Sequence, residues 1–298
     1  MSAVNLLVQA AAAVQAAGIP FPEIVADGRF HRVKGADHYW QIASAGTFAD
    51  GRPWLNVSAG DARENGGVST ATFKWRSYRP GDLTAADRRA LKAQQSQQKK
   101  AGELRLNDEH ESARRRACVM WAYGRPGHHP YLERKAIEPG NTRVFGKELL
   151  IPAYHLDGTL LNVQRINPDG EKHVLPGGRF SETYHPIKFH GHAQQKCLLA
   201  EGYATAMTLH VETGYPVICA FCADNMVRLA KRLAREFPGV TDWLVCGDAD
   251  PVGTAKAIEA AKILGGRWVV PDFTGLPAGP KDSDFNDLVR LRREVSHA

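Results

Sequence analysis

Between residues 196 and 293, short apolar runs alternate with segments of helical period, and this order leaves few folds open. The runs are Lys196 to Ala200 (KCLLA), Pro216 to Phe221 (PVICAF), Asp242 to Cys246 (DWLVC) and Trp268 to Pro271. Between them lie helical segments: Tyr203 to Glu212, a helix capped by Asp224 and running to Phe237, and Val252 to Leu264, stopped by Gly265-Gly266. Asp284 to Arg293 reads as a closing helix. Such alternation predicts an α/β fold with a mostly parallel sheet flanked by helices.

Ligands of such sheets collect at the carboxyl ends of the strands, where Glu201, Asp248 and Asp250 all fall. Two residues apart in an extended segment, Asp248 and Asp250 project to the same side, so their carboxylates can share a hard cation. A small open acidic group suits magnesium, which keeps several waters and accepts few protein oxygens. Equally, an Asp-x-Asp before Pro251 can be a turn whose carboxylates cap the next helix. The residues alone leave both readings open.

Upstream, Leu149 to Tyr154 and Leu160 to Ile166 read as strands around an Asp157-Gly158 hairpin turn, followed by a polar turn at Asn167 to Gly170. Arg165, Lys172, Arg179 and Lys188 lie on or beside this small sheet. They are either ordinary exposed charges or cations that neutralise phosphates. Further back, Arg29 to Val33, His38 to Ala43, Trp54 to Val57 and Thr70 to Trp75 predict a small β-rich domain. Its aromatic residues, among them Phe30, Tyr39, Trp40, Trp54, Phe73, Trp75 and Tyr78, stand among cations. They either form the core or stack unpaired bases.

The stretch from Thr84 to Arg116 is rich in Gln, Lys and Arg and predicts a solvated helix from a capping threonine to about Gly102, then a second helix that turns Val119, Met120 and Trp121 inward. Arg114 to Arg116 is the densest cationic run. Net charge is +6, which favours a polyanionic partner. The apolar N-terminus lacks a basic start and reads as a packed helix ended by Gly18-Ile19-Pro20. No run approaches the length of a membrane span, so a cytoplasmic protein is expected. Cys219-x-x-Cys222 has no second pair at ligand spacing, and the pairs His128-His129 and His190/His192 have no cysteine nearby, so no zinc site is expected.

Taken together, "LLAEGYATA", "VCGDADPVGTAKA" and "DSDFNDL" resemble the Toprim domain shared by bacterial-type primases, topoisomerases and some nucleases. "GKELLIPAYHLDGTLLNVQRINPDGEKHVLPGGRF" resembles the basic subdomain that precedes it in the RNA-polymerase core of primases of the phage and plasmid type. The resemblance implies four parts: an N-terminal helix with a small β-rich domain over 1–82, a basic helical linker over 83–117, a basic subdomain over 118–195 and a Toprim domain over 196–298. It implies catalysis by Glu201, Asp248 and Asp250, with Asp284 and Asp287 as further metal ligands and Asp282 beside them. Thr205 stands where primase members carry an additional acidic residue. Arg165, Lys172, Arg179 and Lys188 are the implied contacts to nucleic acid or nucleotide. The implied cofactor is magnesium, with manganese as the alternative. Single-stranded DNA and nucleoside triphosphates are the implied substrates, and a replicative helicase the implied partner. The expected function is primer synthesis. The alternatives are a Toprim nuclease using the same metal site and a non-catalytic single-strand-binding accessory protein.

Overall fold

A computed structural model describes residues 2–21, 23–33, 35–48, 50–62, 73–191 and 195–296. Thr70 to Thr72, at the start of the fourth expected strand, and His192 lie outside the described residues. The chain forms two compact units, Met1–Leu106 and Asn107–Ala298.

The first unit opens with helix α1 (Ala3–Ala16), capped by Ser2, and continues as an antiparallel sheet of β1 (Asp27–Val33), β2 (Ala36–Thr47), β3 (Pro53–Asp61) and β4 (Phe73–Arg76) in that order. Leu6, Ala10 and Val14, four apart on α1, pack on Ala43, Leu55, Val57 and Ala59 of one sheet face. Helix α2 (Ala85–Tyr123) begins in this unit. It starts at a reciprocal capping box: the Thr84 hydroxyl accepts from Asp87 N–H at 3.1 Å, while an Asp87 carboxylate oxygen accepts from Thr84 N–H at 3.1 Å. Two helices were expected across this stretch, and there is one of 39 residues. A lone Gly102 costs about 1 kcal/mol in a helix interior, too little to break a run of good helix formers.

The second unit contains the short helix α3 (Pro130–Arg134) and an antiparallel sheet of β5 (Arg143–Phe145), β6 (Glu148–Tyr154), β7 (Leu160–Ile166) and β8 (Lys172–Val174). It continues through β9 (His185–Ile187), β10 (Lys196–Ala200), α4 (Tyr203–Thr213), β11 (Val217–Cys219), α5 (Ala223–Glu236), β12 (Asp242–Cys246), α6 (Pro251–Leu264), β13 (Arg267–Val269) and α7 (Phe285–Ser296). The second sheet has the order β13-β12-β10-β11-β9; β10 to β13 run parallel and β9 antiparallel at the edge. The expected α/β architecture with a mostly parallel sheet is what this unit adopts.

Strand alternation divides the core in two. Leu198, Ala200, Val217, Cys219 and Cys246 face α3, α4 and the inner side of the β6–β7 hairpin, where Leu149, Ile151 and Ile166 meet them. Cys197, Leu199, Ile218, Trp243 and Val245 face α5 and α6. Asp224 does not cap α5 as expected: Cys222 occupies the cap position, and Asp224 lies in the first turn, paired with Lys256 at 3.1 Å. The chain leaves β11 through Phe221 at φ +69°, a left-handed conformation that favours glycine, so the helix cap falls one residue after this sharp turn.

The connection from β12 to α6 is unusually close. A Cβ on Gly253 would lie 2.9 Å from the Asp248 carbonyl oxygen, and one on Gly247 would lie 2.9 Å from the Gly253 carbonyl oxygen. Both neighbours are backbone, so neither can move aside without shifting Asp248. Gly253→Ala is therefore expected to destabilise the second unit by about 1–3 kcal/mol, read as a lowered denaturant midpoint in chemical unfolding.

Candidate functional site

The carboxyl ends of β10 and β12 are adjacent, because Ala200 pairs with Cys246 across the parallel ladder. Glu201 and Gly247-Asp248 follow these two residues, so topology brings together carboxylates 47 positions apart in the chain. Asp250 is the N-cap of α6, its Oδ1 accepting from Val252 N–H and Gly253 N–H at 2.8 Å each. The capping reading of Asp-x-Asp thus holds for Asp250, and only one of its oxygens is committed to it.

Asp248 has a different environment. Its Oδ1 is buried and accepts no hydrogen bond. Burial first, and then the nearby negative charges of Glu201, Asp284 and Asp250, push its carboxyl up to about 7, with Lys172 opposing. Glu201 is raised as well, mainly by burial and then by Asp250 and Asp224; the Ala223 N–H and Lys172 work the other way. An orphaned carboxylate oxygen among like charges is a position that a hard cation would satisfy, so the donor set fits magnesium. Among the described residues no three His, Cys, Asp or Glu side chains are gathered tightly enough to form a ligand cluster as they stand. Mutual repulsion of bare carboxylates is a sufficient physical reason for that spacing.

Asp284 and Asp287 serve α7 first. Asp284 Oδ1 accepts from Asp287 N–H at 2.9 Å, and Asp287 Oδ2 accepts from Asp284 N–H at 3.4 Å and Ser283 N–H at 3.2 Å, a capping box with aspartate at both ends. Lys135 at the end of α3 reaches both carboxylates, Asp287 at 3.0 Å and Asp284 at 3.5 Å. Against the burial that raises it, this lysine holds the Asp287 carboxyl below its usual range. Asp284 remains close enough to act on Asp248, whereas Asp287 is 8% exposed and fixed by Lys135. Asp282 pairs with Arg290 at 2.9 Å. Thr205 is buried within α4.

Of the four cations singled out from sequence, Lys172 meets the acidic group, its charge lowering the proton affinity of Glu201 and Asp248. Arg165 does not face the same way. Ile166 pairs with Lys172 and Arg165 with His173, so Arg165 lies on the opposite face of the small sheet, where Leu150 and Val163 pack on Ala117. It is engaged by Glu148 at 3.2 Å. Arg179 pairs with Glu182 at 3.1 Å. Lys188 follows β9, which runs antiparallel to β11 with Ile187 opposite Val217, and so sits at the amino ends of the parallel strands, the far end of the sheet from Glu201. His129 is structural: Nδ1 accepts from Tyr131 N–H at 3.2 Å and caps α3, and Nε2 lies 3.1 Å from the Lys147 carbonyl.

A cleft of about 400 Å³ opens beside the acidic group, lined by Tyr131, Arg134, Lys135, Lys172, Asp284 and Arg290 among others. Sequence reasoning missed Lys135, Arg134 and Tyr131, whose hydroxyl is buried without a partner. Nothing in a five-residue helix more than 60 positions upstream marks those side chains; only the fold carries them to α7. A larger cavity of about 790 Å³ lies between α3, α4 and α7, but none of Glu201, Asp248 and Asp250 lines it.

Because the folded protein holds a proton on Asp248 up to about pH 7 and the unfolded chain releases it near 3.8, the folded state binds more protons between those values. Its contribution to stability therefore falls as pH rises across that window. Without divalent cation, Asp248→Asn is expected to stabilise the protein at pH 8 by on the order of 1 kcal/mol, after allowance for partial exposure, and to change little at pH 4. Magnesium should raise the melting temperature of the native chain at pH 8 and not that of Asp248→Asn. Thermal unfolding with and without MgCl2 at the two pH values measures both.

No family model matches the chain. Two curated relatives, both DNA primase TraC of Escherichia coli, are similar to its sequence. One is 32% identical over 168 residues, which is 51% of this chain and 16% of the relative; the other is 28% identical over 191 residues, which is 57% of this chain and 13% of the relative. The matched stretch of this chain thus corresponds to about a seventh of the length of these primases. Among solved structures, the primase fragment of the bacteriophage T7 primase-helicase protein aligns with a TM-score of 0.43 and 17% identity over 58% of this chain and 74% of that one. The similarity of sequence to DNA primases agrees with the resemblance carried by the acidic motifs.

Proposed function

We propose that this chain is a Toprim-type primase core that joins nucleotides into short primers on a single-stranded DNA template. The observation that carries the reading is the buried, unpartnered Oδ1 of Asp248, held among Glu201, Asp250 and Asp284 at the carboxyl ends of β10 and β12, with Lys172 across from it. The sequence similarity to TraC primases supports the same reaction class.

Asp248, Asp250 through its uncommitted oxygen, and Glu201 would hold magnesium or manganese, with Asp284 at the margin. When bound, the ion would supply positive charge to the phosphates of an incoming nucleoside triphosphate. The chain's own residues do the rest. Lys172, with Arg134 and Lys135 in the adjoining cleft, neutralises phosphate oxygens and orients the nucleotide. Burial raises the proton affinity of Glu201, which makes its carboxylate a stronger base; outside the metal's ligand set it would accept the proton of an attacking 3′-hydroxyl. Lys135 also neutralises Asp287, which keeps that carboxylate from adding to the negative charge at Asp248. A replicative helicase is a further proposed partner, by analogy with the family.

Among the described residues no helix is long and apolar enough to cross a membrane.

The test is primer synthesis on single-stranded DNA with labelled nucleotides and magnesium or manganese. The native chain is expected to give short labelled products, and Glu201→Gln and Asp248→Asn to lower their yield at least 100-fold. Lys172→Ala should weaken nucleotide binding and its salt dependence while leaving metal-induced stabilisation in place. Metal-dependent degradation of the template without synthesis would replace the primase reading with a nuclease.

A further inference from the structure

The first unit presents a second surface suited to nucleic acid. In its sheet, α1 covers the face bearing Ala43, Leu55, Val57 and Ala59, with Tyr39, Phe73 and Trp75 packed against them. Trp54 joins Phe48, Leu83 and Leu91 in a separate cluster that Tyr78 adjoins. Most of the aromatic residues of this unit are therefore core.

Phe30, Ile42, Lys74 and Arg76, which alternate with them, are exposed. Phe30 pairs with Ile42, Ile42 with Ser58, and Ser58 with Lys74, forming one row across all four strands on the face opposite α1. Arg32 and Trp40 form the row on one side, and Asn56 and Arg76 that on the other. Four strands spaced about 4.8 Å apart make this row roughly 14 Å long, a few nucleotides of a single strand. Phe30, on the edge strand β1, is 43% exposed, and Ile42 beside it on β2 38%. Phe30 lies on Trp40 with ring centroids 5.6 Å apart and planes 15° from parallel, and the Arg32 guanidinium sits 5.2 Å from the Phe30 centroid. Trp40, itself 3% exposed, backs one face of the Phe30 ring.

Lys74 and Arg76 are exposed and make no ion pair among the described residues. Among the described residues, the rows through Phe30 and Trp40 carry no carboxylate. Asp27, opposite Ser44 across the β1 bulge, is held by His31 at 2.9 Å and Arg29 at 3.5 Å. Helix α2 reaches this face beside the Phe30 row, where Gln98 hydrogen-bonds Ser44 and Gln94 the Ala45 carbonyl.

We propose that this face, centred on Phe30 with Lys74 and Arg76, binds single-stranded DNA by stacking an unpaired base on Phe30 and pairing backbone phosphates with the two cations. An exposed ring flanked by cations, with the nearby Asp27 carboxylate taken up by His31 and Arg29, matches a strand that offers base faces and phosphates together. A folded duplex hides its base faces, and an acidic peptide offers charge without rings. The choice of DNA over RNA rests on the primase reading; the use of this face does not.

Fluorescence anisotropy of a labelled oligo(dT) titrated with the full chain, in EDTA and without nucleotides, tests the site independently of any turnover. Lys74→Ala/Arg76→Ala is expected to weaken binding and to reduce the slope of log affinity against log salt by about 1.4. Phe30→Ala should weaken it roughly 5- to 100-fold with little change in that slope. The double variant alters only exposed side chains, so an unchanged melting temperature accompanies its loss of binding if the assignment holds. Native affinity in both variants overturns it. Equal affinity for a duplex of the same length overturns stacking, and tighter binding of oligo(rU) overturns the choice of DNA.

Discussion

Concentrated negative charge at the ends of β10 and β12 is the condition around which the second unit is built. Glu201 and Asp248 are both partly desolvated and near one another, and Asp250 and Asp284 add to the repulsion. Such a group destabilises the folded chain, since each carboxylate is less solvated than in water and faces like charge. It persists because the backbone around it is strongly determined. Ala200 and Cys246 are locked in a parallel ladder between two apolar layers, Asp250 is held by two amide hydrogen bonds, and two glycines allow β12 and α6 to approach backbone to backbone. The left-handed Phe221 beside this group adds strain where functional sites commonly store it.

The positive side of the site is assembled from other parts of the chain. Lys172 comes from the edge strand of the small antiparallel sheet, Lys135 from a five-residue helix. Lys135 makes α7 part of the site by joining both ends of its capping box, while Asn286 hydrogen-bonds the Lys135 carbonyl at 2.7 Å and the Thr208 hydroxyl at 2.9 Å. The segment DSDFNDL thus works first as a clasp between α3, α4 and α7. Its acidic residues are shared between holding the fold and setting the charge of the cleft.

The first unit applies the same alternation to a different end. One face of its sheet is closed by α1 and supplies stability. The other leaves Phe30, stacked on the buried Trp40, and two cations at the surface, a composition that gains little from folding by itself. Exposed apolar area of this kind is retained at a cost in hydration, which binding would offset.

Much of the α/β unit was legible in sequence. Lys196–Ala200 and Asp242–Cys246 form strands with the bounds read from their apolar runs, because buried parallel strands are short, wholly apolar and ended by turn residues. Their order also located Glu201, Asp248 and Asp250 at one sheet edge. Local signals failed where distant contacts decide. The single helix α2 shows that one glycine is a weak signal, and Asp224 lost the cap position to a backbone turn at Phe221. Sequence listed Arg165, Lys172, Arg179 and Lys188 as equals, and nothing local separates them. Strand parity and register alone turn Lys172 toward the acidic group, Arg165 away, and Lys188 to the far end of the sheet. The sequence by itself determined which segments become strands and helices and where the carboxylates gather, since these follow from periodicity. Tertiary structure decided which cations meet them and which aromatic rings stay exposed, because those depend on pairings between residues far apart in the chain.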